Sequence, residues 1–152
     1  MPISIALFQP DIAGNTGAVL RTAACLGLTI EIIEPTGFEL SDRALKRAGM
    51  DYLSLATTTK HPDFEAFESW RIAEGRRLVL LTTKADAVVW DFAFRDGDVV
   101  MFGRETAGVP DHVHEAADAR LTIPMQPGAR SMNLSASVSL VAGEAVRQLR
   151  IA

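Results

Sequence analysis

Two stretches of the sequence carry residue types that suit a binding or catalytic site. The first, MFGRETAGVP (101–110), places Arg104 and Glu105 directly after a short apolar run, with Gly103 and Gly108 on either side. Glycines let a backbone approach a flat ligand closely, and a carboxylate just beyond a buried strand lies where α/β proteins bind ligands. A tight turn with a surface glutamate explains the same stretch equally well.

The second stretch, IPMQPGARSMNLSAS (123–137), contains two prolines and a glycine, which stiffen it. Ser131 and Asn133 stand just before a long apolar segment, where serine and asparagine commonly cap the start of a helix. Capping explains one of these two residues well, but it does not explain Arg130 beside them. The stretch therefore remains a candidate binding loop.

Arg21 is the single charged residue in IAGNTGAVLRTAACLGLTI (12–30), which has the pattern of a buried helix. Its helical neighbours three and four positions away are all small: Gly17, Ala18, Ala24 and Cys25. A buried, unpaired guanidinium would cost several kcal/mol. We therefore expect Arg21 to reach a counter-charge elsewhere, either Glu105 or an anionic ligand. Asn15 stands at the helix entrance, where we expect it to be the N-cap.

The elements that must position these residues are short apolar strands alternating with helical patterns. This alternation predicts an α/β fold, with a mostly parallel sheet flanked by helices on both faces. The predicted strands cover 3–8, 28–35, 77–83, 98–103 and 120–125, with a weaker candidate at 52–58. The predicted helices cover 15–27, 41–49, 62–75 and 133–150, and the last of these has an apolar face.

Length and composition limit the function classes. The 152 residues fit a single domain over 1–152 with no separate RNA-binding domain. The net charge of −4 argues against a generic nucleic-acid coat protein, but a local basic patch remains possible. With Cys25 as the single cysteine and neither a signal peptide nor an apolar run long enough for a membrane span, we expect a cytoplasmic protein.

Common catalytic and metal motifs are missing from the sequence. It contains no G-x-G-x-x-G, no P-loop and no G-x-S-x-G, which disfavours a dinucleotide-binding domain, a P-loop NTPase and a serine hydrolase. His112 and His114 are two positions apart, so on a helix they point in different directions. We expect no metal there, because a zinc site needs three or four converging ligands.

Three segments together resemble the motifs of the SPOUT superfamily of RNA methyltransferases: NTGAVLR, FGRETAGVP and IPMQPGARSMNLSASVSLVAGEA. The N-T-G-x-x-x-R element is similar to the 2′-O-ribose branch. IIEPTGF, RALKRAGMDY and LTTKA resemble the tRNA (cytidine/uridine-34)-2′-O-methyltransferase family in particular. The similarity spans essentially the whole chain. Two departures are minor: Arg104 stands where the family often has proline, and Ala18 where it often has a polar residue.

This resemblance implies a C-terminal trefoil knot, a homodimer and S-adenosyl-L-methionine as the cofactor. It implies the anticodon stem-loop of tRNA as the partner, with the ribose of the wobble nucleotide as the methyl acceptor, and neither a metal nor a membrane. The implied cofactor contacts are Leu81, Thr82, Gly103, Ile123, Met125, Ser131 and Leu134. The implied catalytic set is Arg21, Asn15, Glu105, Ser131 and Asn133. The candidate RNA-binding residues are Arg43, Lys46, Arg47 and Arg130.

The chemical role of Arg21 has two interpretations. The family proposal makes it the base that takes the 2′-hydroxyl proton. Because an arginine is effectively always protonated, it is alternatively a group that binds phosphate or stabilises the developing alkoxide. Other functions remain open: methylation of another tRNA position or of ribosomal RNA, a non-catalytic RNA-binding protein with a vestigial cofactor site, or a small-molecule-binding module.

Overall fold

The computed structural model of the chain describes residues 1–41, 43, 57–129 and 131–150. In this part of the chain, seven strands alternate with four helices. The strands are β1 (Ser4–Phe8), β2 (Thr29–Ile33), β3 (Thr58–His61), β4 (Leu78–Leu81), β5 (Ala87–Val88), β6 (Val99–Phe102) and β7 (Ala119–Thr122). The helices are α1 (Ala13–Leu26), α2 (Phe64–Ala73), α3 (Asp111–Ala116) and α4 (Leu134–Leu149), and a 3₁₀ turn covers Val89–Asp91.

The strands form one sheet in the order β3-β2-β1-β6-β4-β7-β5, and every pair in it is parallel. β1 lies between β2 and β6, with Ser4 opposite both Thr29 and Val99. Because all strands run in one direction, their carboxyl ends share one edge of the sheet. The predicted α/β fold with a mostly parallel sheet is confirmed.

Both faces of the sheet are covered, as alternation along the strands requires. Ile5 and Leu7 of β1 join the core cluster that contains the buried residues of α1 and α4. Ala6 and Phe8, which point to the other face, pack in the cluster that contains residues of α2 and α3. The helices therefore lie on both sides of the sheet, as the sequence predicted.

Helix α1 begins at Ala13 and ends before Gly27, whose φ of 70° is the left-handed conformation that glycine readily adopts at the end of a helix. Ile12 occupies the N-cap position without a side-chain hydrogen bond. The prediction that Asn15 is the N-cap was wrong, because Asn15 is the third residue of the helix. The Glu105 carboxylate instead accepts hydrogen bonds from the backbone N–H groups just ahead of the helix.

The amino end of α4 follows the prediction more closely. Asn133 is its N-cap, and its Oδ1 accepts hydrogen bonds from the backbone N and from the Oγ of Ser135 at 2.9 and 2.6 Å. The predicted apolar face is also present, since Val138, Val141 and Ala142 are buried. This face holds α4 against the sheet and sets the position of the loop before it.

Two further differences concern weak signals. β3 lies at Thr58–His61, so it meets the strand predicted at 52–58 only at its end, and residues 52–56 lie outside the described part. β5 has only two residues and therefore no periodicity to detect. The helix predicted at 41–49 falls almost entirely outside the described residues.

The resemblance also carried expectations that strand order and register do not test. The trefoil knot stays a prediction. As for membrane insertion, none of the helices in the described residues has the length and apolar character needed to cross a bilayer.

Candidate active site

A cleft with a volume of about 680 Å³ lies at the carboxyl edge of the sheet. It is bounded by the segments that follow β4, β6 and β7, together with the start of α1. Ten of the predicted site residues line it: Asn15, Leu81, Thr82, Gly103, Glu105, Ile123, Met125, Ser131, Asn133 and Leu134. The structure thus brings together residues that are up to 119 positions apart in the chain.

The loop after β6 turns back on itself directly beside the cleft. The backbone N–H of Arg104 donates to the carbonyl of Gly108, and the Gly108 N–H donates to the carbonyl of Arg104, both at 2.9 Å. A Cβ at Gly103 would lie 2.7 Å from the Cα and the carbonyl carbon of Gly108, and Gly108 itself has a φ of 63°. Both glycines are therefore required by this backbone, and they leave its main-chain groups open to a ligand.

Glu105 sits within this loop and faces the amino end of α1. Its Oε2 accepts a hydrogen bond from the backbone N of Asp11 at 3.0 Å, while its Oε1 is buried and has no hydrogen-bond partner among the described residues. Burial raises the pKa of the Glu105 carboxyl above its ordinary value, despite the opposing effect of hydrogen bonds from the backbone of Ile12 and Asp11. Removal of a carboxylate from water disfavours its charged form and therefore raises its pKa. Shifted pKa values of this kind are common in functional sites.

Asp11 and its partners were missed by the sequence analysis. The Asp11 carboxylate accepts hydrogen bonds from Arg104 Nη2 and from Thr106 Oγ1, each at 2.6 Å. The Arg104 hydrogen bond, followed by that of Thr106, lowers the pKa of Asp11. The only signal in the sequence was Arg104 itself, a charge at a position where the family often has proline.

The two amino-terminal ends of α1 and α4 are joined by one side-chain hydrogen bond. Asn133 Nδ2 donates to Asn15 Oδ1 at 3.1 Å. Since Asn133 Oδ1 also caps α4, this one side chain ties the first motif to the third. The side-chain contact connects two residues that the resemblance had placed in one catalytic set.

Arg21 does not fit the expectation of a buried cation. It lies on an exposed position of α1 and is not among the residues that line the cleft. The reason is geometric: six residues of helix separate it from Asn15, which amounts to a rise of about 9 Å and a rotation of about 240°. The helix is buried on one side only, so the guanidinium pays no large desolvation cost.

The candidate RNA-binding residues fall mostly outside the described part of the chain. Arg43 is described and exposed, whereas Lys46, Arg47 and Arg130 are not described. The loop after β4 adds Lys84 to the cleft, a cation that the sequence analysis did not single out.

The two histidines of α3 have separate surroundings. His112 packs edge-on against Phe64, whereas His114 lines the cleft and has a buried Nε2 with no hydrogen-bond partner in the described ranges. No group of three or more histidine, cysteine, aspartate or glutamate residues suited to a metal ion occurs among the described residues. A helix this short carried no sequence signal that would point His114 toward the cleft.

Comparison with known proteins identifies the family. Residues 2–143 match the SpoU rRNA methylase family. The chain belongs to this family. Its sequence is 53% identical over 148 residues to a tRNA (cytidine(34)-2′-O)-methyltransferase of Ancylobacter novellus, which covers 97% of this chain and 94% of that protein.

Two solved structures extend this similarity to the fold. One, described as giving structural insights into the 2-OH methylation of C/U34 on tRNA, has a TM-score of 0.90 and 39% identity over 97% of this chain and 96% of that one. The other is an AdoMet-bound rRNA methyltransferase from Sinorhizobium meliloti, with a TM-score of 0.88 and 25% identity over 97% of this chain and 57% of that one.

The glycine requirement at 103 gives a first prediction. Gly103→Ala pushes a methyl group into the backbone of Gly108, so the loop must move and the cleft must change shape. We expect the affinity for S-adenosylmethionine, measured by isothermal titration calorimetry, to fall at least tenfold. Gly14→Ala is the matched control, because its added Cβ meets no atom within 4 Å. Unchanged affinity in Gly103→Ala would show that the loop does not shape the cofactor site.

The burial of Glu105 gives a second prediction. Since the native pKa lies above the ordinary value, the native state holds this proton more tightly than the unfolded state. Stability therefore falls as pH rises from about 4.5 through the native pKa, and Glu105→Gln removes this loss. We expect the variant to unfold at a higher temperature than the wild type at pH 8, with a difference that shrinks toward pH 4.5.

The same variant is expected to lose at least tenfold in methylation rate, because a site carboxylate is replaced. Glu115→Gln, a change of an exposed glutamate on α3, serves as the control for both measurements. A Glu105→Gln protein that is less stable than wild type at pH 8 would contradict the assigned cost of burial.

Proposed function

We propose that this chain transfers a methyl group from S-adenosylmethionine to the 2′-hydroxyl of the ribose at nucleotide 34, a cytidine or uridine in the tRNA anticodon loop. The observation that carries the proposal is the convergence of the three motif segments on one cleft. The relative at 53% identity, named as an enzyme of this specificity, supports the substrate. The structure described for C/U34 methylation supports it independently.

The cleft suits the proposed cofactor. Its volume of about 680 Å³ falls within the range of roughly 300–1,000 Å³ that small-molecule sites occupy. When bound, S-adenosylmethionine supplies an electrophilic methyl group on a sulfonium whose departure leaves a neutral thioether. Main-chain groups of three loops are proposed to read the adenine and hold the rest of the molecule. They belong to Leu81, Thr82, Gly103, Ile123, Met125, Ser131 and Leu134.

The other residues of the cleft are proposed to hold the substrate. The attacking ribose oxygen must lie about 3–3.5 Å from the methyl carbon and in line with it. The hydrogen-bonded pair Asn15 and Asn133, together with Glu105 and Ser131, lines the part of the cleft that meets α1. These groups orient the ribose, since each offers hydrogen-bond donors or acceptors.

Arg21 is proposed to act through its charge. A guanidinium is effectively always protonated, so removing its proton to make a base at neutral pH is costly. A fixed cation instead stabilises the alkoxide that develops as the 2′-hydroxyl loses its proton, or it binds the neighbouring phosphate. The exposure of Arg21 allows contact with a large ligand such as RNA.

We further propose a homodimer that shares the exposed side of α1 and α4. Arg21 is exposed and lies outside the cleft of its own protomer, and Leu140 of α4 is 43% exposed. The residues beside them in the chain, Thr22 of α1 and Ser139 of α4, form a hydrogen bond across the helix pair. A second copy on this surface would cover Leu140 and place the Arg21 of one protomer close to a partner. The proposed unit is one domain over 1–152, acting in the cytoplasm.

RNA binding is proposed to use a small basic surface on this acidic protein. Arg43, Lys46 and Arg47 have the sequence spacing of residues on one helix face, and Arg130 directly precedes Ser131 in the sequence. Two copies of such a patch in a dimer would grip an anticodon stem-loop electrostatically. Ribosomal RNA is the second candidate substrate, and it is favoured by the name of the family.

The deciding experiment uses methyl-labelled S-adenosylmethionine, bulk tRNA from a strain that lacks this modification, and ribosomal RNA as a parallel substrate. We expect label in tRNA alone, on the ribose of nucleotide 34, located by nuclease digestion and mass spectrometry. Label in ribosomal RNA or at another tRNA position would establish the alternative substrate. Absence of label from both RNAs would contradict the enzymatic assignment.

The proposed role of Arg21 gives a separate prediction. Arg21→Ala should reduce turnover to background, while its affinity for S-adenosylmethionine stays within about threefold, because Arg21 does not line the cleft. Turnover and calorimetric affinity are measured on the same preparation, and light scattering checks that the dimer persists. Near-wild-type methylation by this variant would remove Arg21 from the catalytic set.

A further inference from the structure

Four side chains form a connected cluster, which we call the Asp11 clamp: Gln9, Asp11, Arg104 and Thr106. Two of them, Arg104 and Thr106, line the cleft. Asp11 Oδ1 accepts from Arg104 Nη2 at 2.6 Å and from its Nε at 3.2 Å. Asp11 Oδ2 accepts from Thr106 Oγ1 at 2.6 Å, and Gln9 Oε1 accepts from Arg104 Nη1 at 3.5 Å. Both carboxylate oxygens are therefore engaged, and hydrogen bonds to an ionised carboxylate give its position geometric specificity.

The clamp is reciprocal around Glu105. The residues on either side of Glu105 in the chain hold the Asp11 side chain, while the Asp11 backbone N–H donates to Glu105 Oε2 at 3.0 Å. Each loop thus grips the other through one side chain and one backbone group. Displacement of Arg104 or Thr106 would therefore move the donor that faces Glu105.

The backbone around Asp11 is restrained from a third side. Gln9 has a φ of 43°, uncommon outside glycine, and its N–H donates to the carbonyl of Ile33 at 2.9 Å. The Gly37 N–H donates to the carbonyl of Pro10 at 2.9 Å, and a Cβ at Gly37 would lie 2.9 Å from the Asp11 carbonyl oxygen. These contacts restrain the backbone between β1 and α1. The movement that remains to this segment is limited by the contacts of the Asp11 clamp.

We propose that Asp11, Arg104 and Thr106 are positioning residues for methyl transfer. They hold the start of α1 against Glu105, and α1 carries Asn15 and Arg21. This inference rests on the proposed function and adds to it a device that depends on Arg104, a residue that departs from the family pattern.

The location of the clamp separates its effect from cofactor binding. Its residues join the β1–α1 segment to the loop after β6. Apart from Gly103, the proposed cofactor contacts lie at the carboxyl end of β4, on the segments after β4 and β7, and at the first residue of α4. Loosening the clamp therefore shifts the substrate end of the cleft and leaves most cofactor contacts in place. Turnover, rather than cofactor affinity, is the quantity that responds.

The experiment compares three disrupting variants of the full-length protein with two conservative ones. Arg104→Ala, Asp11→Asn and Thr106→Val remove the charge pair or the hydroxyl donor; Arg104→Lys and Thr106→Ser retain them in part. Because the Arg104 side chain is 39% exposed, its ion pair adds little to stability, so the variants should fold. Arg95→Ala, at the opposite end of β6, controls for loss of an exposed arginine.

We expect kcat on tRNA to fall about tenfold or more in the disrupting variants, since small misplacements in a site carry penalties of this size. The affinity for S-adenosylmethionine should stay within about twofold, and the conservative variants should recover at least half of the lost activity. Unchanged kcat in Asp11→Asn and Thr106→Val would overturn the proposal. So would a loss of cofactor affinity that equals the loss of kcat.

A second readout does not depend on activity. The backbone amide of Asp11 donates a hydrogen bond to Glu105, so its hydrogen should exchange slowly with solvent in the wild type. We expect exchange, measured by NMR, to be at least tenfold faster in Thr106→Val and in Arg104→Ala. Equal exchange rates in the wild type and in both variants would overturn the proposal, even if kcat changes. If the wild type does not methylate tRNA, the proposed function fails, and the clamp is then judged by amide exchange alone.

Discussion

The parallel direction of every strand in the described sheet is the constraint on which the site depends. Parallel strands require helical crossovers, and these cover both faces of the sheet with apolar side chains. Most of the side chains on the two faces are then apolar, and the polar groups of the site lie where the strands end. Since the carboxyl ends share one edge, the segments after β4, β6 and β7 meet there, although long stretches of chain separate them. The cleft is a consequence of this geometry.

Within that edge, the contact between Glu105 and the amino end of α1 joins two motifs that are distant in sequence. Backbone N–H groups at the start of a helix carry partial positive charge, and they attract a carboxylate. Here the carboxylate comes from another loop, so the helix needs no cap of its own. Oε1 of Glu105 stays buried without a hydrogen-bond partner among the described residues, and burial raises the pKa of this carboxyl. The burial of this carboxyl lowers the stability of the fold and, in return, holds a polar group in position at the site.

Local sequence patterns predicted most of the fold, whereas most of the site residues were predicted from the resemblance to a family. Apolar runs located β1 and β2, and ten of the residues that the resemblance implied line the cleft. Prediction from the sequence failed where a tertiary contact took the place of a local one. Asn15 looked like a cap because sequence shows only nearby donors and acceptors, whereas the group that serves the helix start is Glu105, ninety residues later.

Arg21 and Arg104 show why a charge cannot be placed from its neighbours in sequence alone. Arg21 lies among small residues, which indicated burial, yet small side chains also line a surface against which another molecule can pack closely. Arg104 looked like a harmless departure from a family pattern, but it completes the bonds to Asp11 that tie two loops together. In both cases the partner of the cation, not the helix or loop that carries it, determines what the charge does. For Arg104 that partner is Asp11, and the exposed position of Arg21 on α1 leaves its side chain accessible to a large ligand.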